Sequence, residues 1–275
     1  MMSKERINYL KKNKKEGLIV NISRILLFLL LLVIWELLYK NNIIDSFLLS
    51  SPSKIINTII ELYKNNNLFN NILTTLYEII ISFIIGNIIG LVIASLLWFN
   101  DIISKIFEPY LTILNSLPKV ALGPLIIILF GANIKSIIIM SLLISSIISI
   151  LNILYYFKNT DKNRIKIIKS MGGNKLDIFF RLVLPSNYIN IIDSFKINIS
   201  MCFVGVIMGE FLVSKEGIGY LINYGSQVFN MNLVLTGIVL LIILTIILYY
   251  FVTLLNKIKK DWLLSLILFF SFLYF

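Results

Sequence analysis

Histidine is missing from all 275 residues, and cysteine occurs once, at Cys202. The first absence removes imidazole metal ligands, histidine-based catalytic triads and histidine pH switches. The second excludes an intrachain disulfide. Charge is scarce as well: Asp, Glu, Lys and Arg make up 14% of the chain. No GxxxxGK[ST] phosphate loop occurs, so the chain has no nucleotide site of that kind. Glu36, Glu78 and Glu210 read as single acids far apart within apolar surroundings. An intramembrane protease or lipid transferase would need paired acids, or a nucleophile beside a base, and neither is legible.

What the chain has in quantity is apolar side chains, 58% of it, with a mean hydropathy of +0.91. That composition excludes an ordinary soluble domain. Apolar runs of membrane-spanning length recur, so the fold class expected is an all-α polytopic membrane protein with six transmembrane helices. The formal charge of +11 is placed in short loops rather than along one face, which points to membrane topology and not to nucleic acid.

The division expected is a basic amino-terminal segment over 1–24, a transmembrane domain over 25–260 and an apolar tail over 261–275. Lys4, Arg6, Lys11, Lys12, Lys14, Lys15 and Arg24 precede the first span, 25–38, which reads as uncleaved. Trp35 and Glu36 fall near its far end. Pro52 and Ser53 then open an amphipathic helix too short and polar to cross, expected to lie on the outer membrane surface. A second span covers 73–98 and carries Gly86-x-x-x-Gly90, a spacing that lets two helix backbones approach. Residues 101–108 read as a short inside loop.

Three of the five prolines fall in the next apolar run, 109–130. Proline removes a helical hydrogen bond, so this span is expected to be bent or unwound, and such backbone at membrane depth is covered by protein or lines a cavity. Asn115, Pro118, Lys119 and Pro124 are therefore candidates for a translocation path, with a purely structural kink as the alternative. The fourth span is 137–155. The fifth, 189–212, holds Gly205-x-x-x-Gly209 followed by Glu210, either an interfacial acid or an inward-facing gate. Residues 215–230 read as an outer loop dipping between helices on Gly217 and Gly219. The sixth span is 231–255, closed by Lys257, Lys259 and Lys260. The tail 263–275 is too short for a full span and reads as an interfacial or partner-contacting segment, or a partial seventh span.

Between the fourth and fifth spans lies the one long polar interruption of the second half, DKNRIKIIKSMGGNKLDIFFRLVLP, inside a loop over 158–185. Asp161 can cap a short helix, Gly172-Gly173 can stop it, and Asn174 can cap a second. In that second helix Leu176, Phe179, Phe180 and Val183 recur at i, i+3, i+4 and i+7 until Leu184-Pro185 ends it. Two short amphipathic helices joined at glycine form a docking surface. A basic inside loop of no further role is the other reading.

The run SMGGNKLDIFFRLVLP resembles the "EAA" loop of binding-protein-dependent ABC importer permeases, with Gly172 as the motif glycine and Val183-Leu184-Pro185 as its end. Lys166, Ile167 and Ile168 stand where that family usually has Glu-Ala-Ala. LLSSPSKI, SLPKVALGPLIIILFGANIKS and GEFLVSKEGIGYLINYGSQVFNMNLVLTGIVLL are similar to segments of the nitrate, sulfonate and taurine branch, and the resemblance covers about residues 47–260. It implies the type I ABC importer (MetI-like) permease fold with a cytoplasmic coupling-helix loop. Lys166, Ile167, Ile168, Ser170, Met171, Gly172, Gly173, Leu176, Phe179, Phe180, Leu184 and Pro185 would then couple to a separate ATPase. It further implies a cell-membrane protein with a cytoplasmic amino terminus, paired as a homodimer, served by an extracytoplasmic solute-binding protein. ATP and Mg would bind the partner ATPase and no cofactor this chain. Nitrate, a sulfonate or taurine, or a thiamine pyrimidine precursor is the solute expected. An ion-coupled carrier or channel without an ATPase is the alternative.

Overall fold

The computed structural model describes residues 4–43 and 49–255. The tail 261–275 and the Lys257, Lys259, Lys260 cluster lie outside the described residues. Helix α1 runs unbroken from Lys4 to Lys40, so the junction expected near residue 24 is not a break in the backbone. Its apolar portion, Lys15–Lys40, is not buried against the rest of the protein. Its far end is latched to the next element. Trp35 Nε1 donates to Ser50 O at 2.9 Å, and Glu36 accepts from Ser53 N and Oγ at 3.1 and 2.8 Å. That element is α2, Pro52–Lys64, with Ser51 as N-cap and proline at the start, where no N–H is needed.

Helix α3 spans Asn67–Phe99, six residues longer at its start than the apolar run suggests. The expected loop over 101–108 does not exist. Asn100 is extended and its side chain accepts from Ile102 N and Ile103 N, which starts α4, Asp101–Ser116, one residue later. Pro109 sits inside α4 without ending it, whereas Leu117 is extended before Pro118, as the residue preceding a proline prefers. A 3₁₀ turn, Lys119–Leu122, leads into α5, Gly123–Phe130, and the two halves meet at 88°. The bent span read from the prolines is therefore present.

Helices α6 (Ile134–Lys158), α7 (Lys162–Ser170) and α8 (Lys175–Ile178) follow. A π turn over Phe179–Val183 joins α8 to α9, Leu184–Ser186, and then come α10 (Tyr188–Val213), α11 (Ile218–Gln227) and α12 (Met231–Leu255). Among the described residues, five helices are long and apolar enough to cross a membrane, six spans when the bent α4–α5 pair is taken as one.

Helix α6 is the centre, packed against α3 on one side and α10 on the other. The contact is made by small residues. Ser141, Ser145 and Ser149 of α6 are wholly buried at i, i+4 and i+8. A Cβ on Gly86 or Gly90 of α3 would collide with Ser145 or Ser149 side-chain atoms, and one on Gly205 or Gly209 of α10 with the backbone at Ser141 or Ile137. In lipid no water is expelled by bringing two helices together, so such close backbone approach supplies the packing energy. The outer faces of α3, α4 and α12 leave large apolar side chains exposed, as a lipid-facing surface requires.

Candidate functional site

The polar elbow between α6 and α10 is built by its caps. Asp161 accepts from Asn163 N at 2.8 Å and starts α7. Gly172, at φ +87°, turns the chain, with Gly172 N and Gly173 N bonded back to Lys169 O and Ile168 O at 3.0 Å each. Asn174 and Asp177 then form a reciprocal capping box, 2.8 and 3.0 Å, that starts α8. Lys166, Ile167, Ser170 and Met171 are exposed, Met171 at 82%, and Leu176 at 41% also faces out. Ile168 is half-buried against the core.

The apolar stripe read from α8 divides. Leu176 points outward, but Phe179 is 3% exposed and sits among Phe99, Trp98, Phe180 and Phe157, with ring centroids 4.9 to 5.4 Å away. Phe179 therefore anchors the elbow to α3 and α6 rather than offering a surface. Lys175 Nζ adds a bond to Phe99 O at 2.7 Å. Nor do Leu184 and Pro185 end the helix, as the sequence led us to expect. In the wide π turn Leu184 N reaches Phe179 O, which accommodates the proline without a stop. The chain turns instead at Asn187, whose buried Nδ2 donates to Thr160 Oγ1 at 2.7 Å and Val183 O at 2.9 Å.

At the α4–α5 break, Lys119 Nζ donates to Asn115 O and Oδ1, both at 3.0 Å. The ammonium thus caps the carboxyl end of α4, where the helix dipole favours positive charge. Asn115 and Lys119 are partly exposed, Pro118 and Pro124 exposed. Gly123 packs on Met140 of α6 and Leu212 of α10.

Glu210 is not on an open surface. It has no exposed area and sits in a closed polar knot at the end of the bundle opposite the elbow. Thr75 Oγ1 donates to Glu210 Oε1 at 2.6 Å and accepts from Ile218 N at 2.8 Å; Gly219 N donates to Glu210 Oε2, and Gly217 N to Asn71 Oδ1 at 2.7 Å. The knot holds the amino-terminal end of α11 against α3 and α10. Glu78, also without exposed area, lies beside Glu210, and neither of its carboxyl oxygens has a hydrogen-bond partner. This corrects the expectation that these acids stand far apart: α3 and α10 both pack on α6, and 132 residues of separation vanish. In this arrangement the pair has no exposed surface. Asn71, Thr75 and the serines of α6 were not singled out in the sequence; Ser141-x-x-x-Ser145-x-x-x-Ser149 was the available signal.

Among the described residues, five spanning helices and one bent pair, with an exposed helix–glycine–helix elbow at one end and the partly buried short helix α11 at the other, form a multi-pass, all-helical membrane architecture. The chain belongs to the family described as "Binding-protein-dependent transport system inner membrane component", whose model matches residues 86–260. It is 28% identical over 195 residues to the formylaminopyrimidine transport permease protein ThiX of Halalkalibacterium halodurans, covering 71% of this chain and 77% of that one. It is 24% identical over 238 residues to the putative aliphatic sulfonates transport permease protein SsuC of Bacillus subtilis, covering 86% of each. Over 238 residues it is also 24% identical to the riboflavin transport system permease protein RibX of Chloroflexus aurantiacus. Among solved structures, the inward-facing MetNI methionine ABC transporter matches with a TM-score of 0.59 at 17% identity, over 76% of this chain and 98% of that one. The fold is that of a type I importer permease, and the chain is a permease subunit of an ATP-driven importer.

Proposed function

We propose that the elbow 158–185 is the part of this permease that a separate ATPase grips, at the cytoplasmic face, and that the six spans relay its motion to a solute path. The observation that carries the reading is the split character of the elbow. Lys166, Ile167, Ser170, Met171 and Leu176 face outward, while Ile168, Phe179 and Val183 are packed into the spans. A load applied to the first set is delivered to α3 and α6 through the ring cluster around Phe179.

ATP and Mg act on the partner, whose closure would move the Gly172 turn and switch the spans between inward-open and outward-open states. The path runs beside the α4–α5 break, with Asn115, Pro118, Lys119 and Pro124 toward it, between two copies of this chain. Glu210 acts in this scheme as an internal clamp on α11. An extracytoplasmic binding protein delivers the solute. Its chemistry is taken from the cargo that the relatives' names carry, a formylaminopyrimidine or an aliphatic sulfonate.

The test is uptake in vesicles carrying the permease, its ATPase and its binding protein. Uptake that needs ATP, and that is lost in Gly172→Val together with ATPase association, supports the reading. Uptake that persists without ATP, or normal ATPase association in that variant, overturns it. The solute itself is read from which compound raises the melting temperature of the binding protein.

A further inference from the structure

A cavity of about 610 Å³ opens where the elbow meets the ends of the spans, and its lining is strongly basic. Lys158, Lys162, Lys169 and Lys175 face it, with Asp101 as the one acid and Trp98 as the wall. Two of the four ammonium groups are already engaged: Lys158 with Glu108, and Lys175 with Phe99 O. Lys162 and Lys169 are not. They lie seven residues apart, on one face of α7, and among the described residues neither side chain has an ion pair or hydrogen bond. Two free cations turned into one cavity leave an uncompensated positive field, which attracts an anion.

The depth of the cavity says which anion. Helix α3 ends its apolar span at Phe99, so Trp98 stands where hydrocarbon gives way to headgroups, the level that tryptophan favours. Unpaired lysines gathered at the end of an apolar span suit a ligand with a phosphodiester at one end and acyl chains at the other. A cavity of this size takes a glycerophosphate headgroup.

We infer that the cavity between α7 and the ends of α3, α4 and α6 is a binding site for the headgroup of an anionic phospholipid, held through Lys162 and Lys169. The inference rests on α3 being a membrane span, and because Lys162 and Lys169 belong to the elbow, lipid retention and ATPase association are read separately.

The full chain, purified in detergent, is examined by native mass spectrometry with phosphatidylglycerol or phosphatidylcholine of identical acyl chains. Phosphatidylglycerol should be retained in preference, and Lys162→Glu with Lys169→Glu should weaken its retention about tenfold or more. Lys162→Arg with Lys169→Arg should keep it, and Lys54→Glu with Lys64→Glu, on α2, should not change it. Equal retention of the two lipids overturns the inference, as does undiminished phosphatidylglycerol binding in the double Glu variant. If glycerol 1-phosphate displaces the lipid at equal concentration, the ligand is a soluble phosphate and the lipid assignment fails. If the double Glu variant loses ATPase association while binding lipid normally, the lysines serve a protein partner and the site is not a lipid site. Lys162 and Lys169 are exposed, so neither pair of substitutions endangers folding.

Discussion

Thr75 hands a 2.6 Å hydrogen bond to Glu210 across 135 residues of sequence, and the same hydroxyl oxygen takes the N–H of Ile218 at 2.8 Å. One side chain on α3 thus joins α10 to the first turn of α11. The arrangement makes the start of α11 dependent on a span from which it is separated by three crossings, α4–α5, α6 and α10.

Replacing Thr75 with Val keeps the shape but removes the donor to Glu210 and the acceptor for Ile218 N–H. Buried groups left without partners cost about 1–3 kcal/mol each. Thr75→Val should therefore lower the melting temperature of the purified chain clearly, and Thr75→Ser should hardly move it. Equal stability of both variants would show that the knot does not hold α11.

The two glycine pairs should respond differently to rescue. Alanine at Gly90 collides with the Ser149 side chain, whereas alanine at Gly205 meets Ser141 Cα. Each alone is expected to destabilise by about 1–3 kcal/mol through overpacking. Adding Ser149→Gly should recover part of the Gly90→Ala loss, while Ser141→Gly should recover none of the Gly205→Ala loss. Thermal unfolding in detergent reads both cycles.

At Gly172 nothing lies within 4 Å of an added Cβ, and the obstacle is the backbone, at φ +87°. A left-handed residue costs roughly 1–2 kcal/mol unless it is Gly or, with less penalty, Asn. Gly172→Val should reduce ATPase co-purification strongly, and Gly172→Asn should leave most of it. A ranking in the opposite order would mean that the turn's geometry is not what the ATPase reads.

Phe179 and Met171 separate anchoring from docking. Phe179→Ala empties the ring cluster and is expected to cost about 3–5 kcal/mol of stability. Ile167→Ala with Met171→Ala, on the exposed side, should change stability by less than about 0.5 kcal/mol per site and still weaken ATPase association. Stability is followed by thermal unfolding and association by co-purification.

Hydropathy alone determined the number and order of the spans, because burying an unpaired backbone group in lipid is so unfavourable that long apolar runs have no option but helix. Local hydrogen bonding likewise made the caps at Asp161 and Asn174 and the break before Pro118 legible, since each depends on a side chain and its near neighbours. The start of α4 at Asn100 is local too, but a polar stretch between spans reads as loop unless the cap is recognised. What only the tertiary structure decided are the relations across α6: that Glu78 meets Glu210, that three serines slot between two glycine pairs, and that Phe179 faces inward while Leu176 faces out. Helical periodicity says which side chains share a face, and carries no information on which distant helix that face will meet.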